Sequence, residues 1–267
     1  LQACCALQKE GNDMLPSERQ KKLIEYLSVK SFATISDFME EFHVSIETVR
    51  RDLSILEKQG KIEKVYGGAK IKDSPFTEPS MEKRMISKLQ QKEKIGKKCC
   101  EYINDGDCIF IDSGTTTYYI TKFLGKKKNL TIITNSIPVV NELMNTDFEV
   151  IIIGGKIRKS ERSVVTYDYL FDFSVLNIQK SFICASGVTA HNGVSDFNLQ
   201  ETLTRKILIE RSNEIFLVVD SSKFGRDVTI GVTPLSKVDH IITDLGITKG
   251  MISDLKRFKS KLILAGE

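Results

Sequence analysis

The stretch from Ser45 to Leu53 reads Ser-Ile-Glu-Thr-Val-Arg-Arg-Asp-Leu, and it limits what this chain can become more than any other. As a helix it lines up Ile46, Val49, Leu53 and Leu56 on one stripe that must be buried. Glu47, Thr48 and Arg51 then face away, with Arg50 on the flank. Ser45 is placed to cap the first turn, and Glu47 complements its dipole. Hydroxyl and guanidinium groups crowded on the outer face of a helix start suit the reading of base edges and phosphates in a major groove.

The flanking segments predict a small module built around that helix. Ser17 and Gln20 have capping-box spacing and open a first helix with Leu23, Ile24 and Leu27 on its apolar side. Phe32 to Ile35 is a short apolar run, after which Ser36 is expected to cap a second helix carrying Phe38, Met39 and Phe42. His43-Val44 makes the turn, and Gly60 stops the third helix. His43 is a turn residue rather than a ligand, because no second metal-binding side chain lies at suitable spacing. Lys61 to Tyr66 alternates with the strand period, and Gly67-Gly68 makes a tight turn. Three helices and a hairpin describe a winged helix-turn-helix, with Lys61, Lys64 and Tyr66 on the wing. The candidate DNA contacts are Ser45, Glu47, Thr48, Arg50, Arg51, Lys64 and Tyr66.

At 267 residues the chain has room for a second, larger domain. The expected division is a disordered extension over 1–13, the winged module over 14–72, a linker over 73–90 and an α/β domain over 91–267. Net charge is only +4, which fits one basic patch on a mixed surface rather than a cation-coated protein. The six cysteines form no CxxC or zinc pattern and read as reduced thiols of a cytoplasmic protein. No apolar run approaches membrane-spanning length, and no motif calls for a metal or cofactor.

After Asp105-Gly106, short apolar runs alternate with helical stretches. Runs at Cys108–Ile111, Leu130–Ile133, Phe148–Ile153, Ser181–Ala185, Ile215–Val219, His240–Thr243 and Leu262–Leu264 predict strands. Thr116–Leu124, Ile137–Met144, Leu199–Arg211 and Lys249–Phe258 predict helices. This alternation implies a largely parallel sheet, in which ligands sit at the carboxyl ends of strands. Small polar residues gather at those ends: Asp112, Ser113, Gly114, Thr115, Thr116 and Thr117, then Thr134, Asn135 and Ser136. Gly155, Arg158, Ser186, Gly187, Asp196, Glu201, Arg205 and Lys223 follow. Taken singly these are turns, caps and surface pairs. Their repetition at strand ends predicts one crevice, where amides, hydroxyls and cations take an anion and carboxylates orient hydroxyls.

From Arg19 to Ala69 the chain resembles the DeoR family of bacterial transcriptional regulators. The resemblance rests on Val44-Ser45, Thr48-Val49-Arg50-Arg51-Asp52-Leu53, Leu56-Glu57, Gly60 and Gly67-Gly68-Ala69. It continues over Ile95 to Gly246 through Ile111-Asp112-Ser113-Gly114-Thr115-Thr116, Thr134-Asn135-Ser136 and Gly154-Gly155-Lys156-Ile157-Arg158. Asp220-Ser221-Ser222-Lys223-Phe224-Gly225 and Ile242-Thr243-Asp244 complete it. The resemblance implies a Rossmann-like effector domain similar to sugar-phosphate isomerases, and repression of a carbohydrate operon by a homodimer or homotetramer on a double-stranded operator. It places Ser45, Thr48, Arg50 and Arg51 at DNA. It places a phosphorylated sugar at Ser113 to Thr117, with Asn135, Arg158 and Lys223 lining the pocket.

Two positions depart from the family pattern. The glycine expected shortly after Ser163 is replaced by Val164-Val165-Thr166-Tyr167, and Arg205 stands where a lysine is usual. The competing reading is a sugar-phosphate isomerase with a DNA-binding appendage, using Asp112, Asp196 or Glu201 as a base. Arg205 weighs against it, since a guanidinium does not serve as a proton-transfer lysine.

Overall fold

The computed structural model describes residues 14–30, 32–71, 78–165, 172–255 and 261–266. The expected disordered extension, Thr166-Tyr167 and the end of the helix expected to reach Phe258 lie outside these residues. Contacts divide the chain into two units after Lys83.

In the first unit, α1 (Pro16–Lys30), α2 (Ile35–Phe42) and α3 (Ile46–Lys58) pack on a small antiparallel sheet. Its strands are β1 (Phe32–Thr34), β2 (Ile62–Val65) and β3 (Gly68–Ile71), in the order β1-β3-β2. Two expected caps are corrected. Helix α1 starts a residue before Ser17, because Pro16 takes the first helical position, where its missing N–H costs nothing. The cap of α2 is Thr34, not Ser36. Thr34 Oγ1 accepts from Asp37 N at 3.1 Å, and Asp37 Oδ2 accepts from Thr34 N at 2.7 Å, a reciprocal box. Ser45 caps α3 by accepting from Thr48 N at 3.3 Å. His43 (φ 50°) and Gly60 (φ 70°) take the left-handed turns that end α2 and follow α3. Gly68 is dictated by close approach, since a Cβ there would lie 2.1 Å from the Ala33 carbonyl oxygen.

The core of this unit is Leu23, Leu27, Phe38, Val49, Leu53, Leu56 and Ile62, all buried. One acid joins them. Asp52, only 2 % exposed, accepts from Arg19 Nε at 2.6 Å and Gln20 Nε2 at 2.9 Å, tying α3 to α1.

Around the division, α4 (Met81–Ile86) occupies part of the stretch read as linker, and α5 (Leu89–Cys100) follows. The second unit is built on a seven-stranded parallel sheet of order β15-β14-β12-β9-β4-β5-β6. Its strands are β4 (Cys108–Ile111), β5 (Thr131–Thr134), β6 (Glu149–Ile152), β9 (Ile178–Ile183), β12 (Ser212–Val218), β14 (His240–Asp244) and β15 (Leu262–Ala265). Side chains alternate between two buried layers. Ile109, Ile111, Phe216 and Val218 meet α5, α6 (Ile137–Leu143) and a 3-10 helix over Thr117–Lys126. Phe110, Ile215 and Leu217 share the opposite layer with Leu208 and Ile209 of α7 (Leu199–Glu210). Helix α8 (Lys249–Asp254) precedes β15.

Two smaller sheets were not expected. One is a hairpin of β7 (Lys156–Arg158) and β8 (Ser163–Val165). The other joins β10 (Gly187–Thr189), β11 (Gly193–Asp196) and β13 (Ile230–Thr233) antiparallel. Among the described residues no helix is long and apolar enough to cross a membrane.

Replacing Asp52 with alanine strands Arg19 and Gln20. It is expected to destabilise the first unit by about 3–5 kcal/mol, the cost of breaking a buried pair on one side. Urea denaturation followed on the N-terminal transition measures this, and a loss below about 1 kcal/mol would place Asp52 among ordinary surface acids.

Candidate functional site

The first candidate surface is the outer face of α3. Arg50 and Arg51 are exposed, and among the described residues neither forms an ion pair. Ser45 and Glu47 are exposed and Thr48 is half-buried, its Oγ1 lying 3.2 Å from Ser45 Oγ. Lys64 is exposed but not loose. Its Nζ donates to Ser54 Oγ at 3.0 Å and lies 3.2 Å from Glu57, so the base of the wing is fastened to α3. Lys61 is exposed, and Tyr66 at the hairpin tip is fully so.

The second lies in the α/β unit, where the strand order reverses between β4 and β9. The carboxyl end of β4 is Asp112 and that of β9 is Cys184, at the switch point where such sheets bind ligands. Asp112 is completely buried. Its Oδ1 accepts from Ser113 N at 2.9 Å, and its Oδ2 from Cys184 N at 3.1 Å and Arg205 Nε at 2.5 Å. The other arm of the fork, Arg205 Nη1, donates to Asp196 Oδ2 at 2.6 Å. Ser186 Oγ donates to Asp196 Oδ1 at 3.1 Å. Arg205 is itself only 2 % exposed. Burial opposes its charge, but the two carboxylates outweigh that and push its pKa well above the ordinary value. Burial likewise works against the Asp196 carboxylate, and Arg205 prevails, holding its pKa below the usual range.

Asp112 and Asp196, both expected at the ligand site, are engaged by Arg205 and by neighbouring donors. Other expected ligand groups also turn inward. Thr117 Oγ1 donates to the carbonyls of Asp112 and Gly114, and Thr134 Oγ1 to that of Ile111 at 2.6 Å. Ser136 caps α6. Gly187 serves a close approach, since a Cβ there would lie 2.3 Å from the Arg226 carbonyl oxygen. Gly114 backs onto Cys184 in the same way, with 2.7 Å to its Sγ.

Asn135 and Ser113 are held together. Asn135 Oδ1 accepts from Ser113 N at 2.9 Å, and its Nδ2 donates to Ser113 Oγ at 3.1 Å. Between Ser113 and the 3-10 helix, Thr115 and Thr116 are buried. Among the described residues neither their hydroxyls nor their backbone N–H groups find a hydrogen-bond partner. Arg158 reaches Glu201 at 2.9 Å, and Ser163 Oγ donates to the same carboxylate at 2.6 Å. Burial raises the Glu201 pKa despite both partners. Gly155 is exposed, and Lys223 stands apart, next to Asp220 beyond the end of β12. Cys184 was missed by sequence reasoning, which had only an isolated thiol to go on.

Fold and site together define a two-unit transcriptional regulator. Residues 19–75 match the DeoR-like helix-turn-helix domain and residues 87–245 the DeoR C terminal sensor domain, and the chain belongs to the DeoR family. It is 33% identical over 239 residues to the glycerol-3-phosphate regulon repressor of Escherichia coli (strain K12), covering 86% of this chain and 92% of that one. It is 34% identical over 226 residues to the HTH-type transcriptional regulator IolR of Bacillus subtilis (strain 168), covering 84% and 90%. Among solved structures, ribose 5-phosphate isomerase A from Methanocaldococcus jannaschii aligns over 52% of this chain and 55% of that one, with TM-score 0.39 and 16% identity.

The Arg205 clamp predicts a reversal of pH dependence. In the intact protein the Asp196 pKa is lowered, so its contribution is present above the unfolded value near 3.8 and lost as pH falls through the folded value. In Arg205→Met burial opposes only the Ser186 hydroxyl and the Phe197 N–H and is expected to raise that pKa, so stability is instead lost as pH rises through it. Chemical denaturation between about pH 3 and 7 is expected to show opposite slopes on top of a loss of about 3–5 kcal/mol. Parallel slopes would mean that Arg205 does not set the Asp196 charge.

Proposed function

We propose that this protein represses a carbohydrate-related operon in the cytoplasm, and that a phosphorylated sugar or polyol in the C-terminal crevice sets its affinity for DNA. The observation that carries the first half is the pair of exposed arginines on a capped helix, without an ion-pair partner among the described residues. Phosphate contacts supply most of the affinity, while Ser45, Thr48 and the arginines select sequence. Two modules of a homodimer or homotetramer span two half-sites.

The effector half is supported by the Thr115–Thr116 loop, whose hydroxyl and N–H donors find no partner among the described residues and suit ligand oxygens. Ser113, Asn135 and Arg158 line the same end of the sheet. The name of the Escherichia coli relative makes glycerol 3-phosphate a sensible first compound to test. A ligand of this kind acts only through unequal affinity for the DNA-bound and DNA-free arrangements.

Arg51→Ala is expected to weaken binding to operator DNA by about 1–3 kcal/mol and to reduce the salt slope by about one. Fluorescence anisotropy on the operator reads both, and unchanged affinity would remove Arg51 from the interface. For the effector, a phosphorylated ligand at a hundred times its Kd is expected to stabilise the chain by about 2.7 kcal/mol, and its unphosphorylated counterpart not at all. Thr116→Val is expected to reduce that response, and an equal response to both compounds would refute phosphate recognition.

A further inference from the structure

The outer edge of the seven-stranded sheet is poorly protected. β6 ends the sheet and pairs with β5 on its inner side. Glu149 and Ile153 donate their N–H groups to the carbonyls of Leu130 and Thr134, so odd-numbered residues face β5. The main-chain groups of Val150 and Ile152 therefore point outward, and among the described residues they find no partner. Sheet edges are ordinarily guarded by lysine, proline, a bulge or a covering segment. Here the run from Phe148 to Ile153 is apolar except for Glu149, with neither proline nor a cation in it. Ile152 is 43 % exposed and Val150 half-buried.

The helix beside this edge extends the apolar strip. Val139 and Leu143 of α6 face the sheet next to Val150. Glu142 turns toward the 3-10 helix over Thr117–Lys126, where its carboxylate accepts from Tyr118 Oη at 2.9 Å and Lys122 Nζ at 2.7 Å. At about 100° per residue, the flank of α6 away from Glu142 carries Ile137, Val140 and the C-cap Met144. That flank lies on the β6 side, and Met144 is 66 % exposed. A bare strand edge and an apolar helix flank thus stand side by side.

We propose that this edge pairs with the same edge of a second copy of the chain, antiparallel about a two-fold axis through Ile151. The outward main-chain groups fix the register. Val150 of each copy opposes Ile152 of the other, and each such pair exchanges both of its hydrogen bonds. Self-complementarity selects a second copy as the occupant. In this register Asp147 lies opposite Gly155 of the other copy and beside its Lys156, so the acidic start of each strand meets the basic end of the other. Both side chains are exposed and form no ion pair among the described residues. A parallel arrangement would set acid beside acid. The helices fit the same geometry. Strands lie about 4.8 Å apart, so the two α6 helices stand about 10 Å from each other across the seam, where helices pack. Ile137 of one copy then meets Met144 of the other, and Val140 meets its own counterpart. The pairing names the surface behind the homodimer of the proposed function and rests on that reading for its role at paired half-sites, but it is measurable without DNA.

Analytical ultracentrifugation of the full chain tests the edge, in the wild type, Ile152→Lys and Met144→Lys. The wild type is expected to self-associate. Ile152→Lys places an unpaired charge in the seam and is expected to weaken that step by about thirtyfold or more. Met144→Lys lies at an exposed helix end on which folding does not depend, and it is expected to weaken the same step. Hydrogen exchange of the wild type gives a reading free of substitutions. The Val150 and Ile152 amides are expected to exchange slowly in concentrated protein and faster on dilution, while the Ile153 amide, bonded to Thr134, stays slow at both. A monomeric wild type, or variants that associate as tightly as wild type, overturns the pairing. Val150 and Ile152 amides that stay slow at every dilution mean that a segment of the same chain covers the edge, and overturn it as well. If Ile152→Lys loses the association step yet binds an operator with paired half-sites as tightly as wild type, the edge stands and the role of the dimer on DNA fails. If both variants keep the wild-type mass and operator affinity, the edge fails and that role stands.

Discussion

The organisation of the α/β unit depends on one buried guanidinium. Arg205 extends from α7 to the end of β4 at Asp112 and to the end of β11 at Asp196, so one side chain binds the central sheet, the small antiparallel sheet and a helix together. Each ion taken from water costs several kcal/mol, and the cost is recovered only where geometry is good and other lone pairs are filled. Those conditions hold here. The remaining capacity of Asp112 is filled by the N–H groups of Ser113 and Cys184, and that of Asp196 by Ser186 and the Phe197 N–H. A lysine could not replace this arrangement, because an ammonium is a single point charge and the two acids approach different edges of a planar fork.

Spending Arg205 in this way also decides what the crevice can do. Two acids and one base are locked at the switch point, and Glu201 is occupied by Arg158 and Ser163. No carboxylate in this group is left to carry a proton to and from a substrate, which accords with a regulator. Among the described residues, the hydroxyls and amides of Thr115 and Thr116 and the ammonium of Lys223 keep unused capacity. This arrangement suits the proposed holding of a ligand without its transformation.

Much of this was legible in the chain, and the exceptions share a cause. The Ser45 cap, the Gly60 stop and the outward arginines depend on neighbours within a turn or two, so periodicity reveals them. The parallel strands appear as apolar runs, yet β9 and β12 begin three residues earlier than the runs at Ser181 and Ile215 suggest. Gln179, Lys180, Asn213 and Glu214 are polar because those strand starts approach solvent. The strands β10, β11 and β13 escaped notice because they are short and rich in glycine, serine and threonine. Asp112 and Cys184 are 72 residues apart, and no local pattern reveals that they meet. Lys92 lies in a lysine-rich helix whose composition implies solvent exposure, and only the packing of α5 on the sheet buries it.

The reading helix shows how an internal ion pair produces an external charge. In sequence, Arg50-Arg51-Asp52 looks partly self-neutralising, one acid beside two bases. Helical geometry separates them by about 100° per residue, so Asp52 turns inward with Val49, Leu53 and Leu56 while the arginines stay outside. There the acid meets Arg19 and Gln20 of α1 instead of its neighbours. Among the described residues Arg50 and Arg51 therefore form no ion pair, and α3 is fixed in orientation by the bond that holds Asp52 inward. An uncharged residue at position 52 would leave the outer charge intact but the helix less firmly set. An outward acid would set nothing and would cancel charge on the outer face. A buried acid with a distant partner fixes the helix and leaves both arginines available for the proposed DNA contacts.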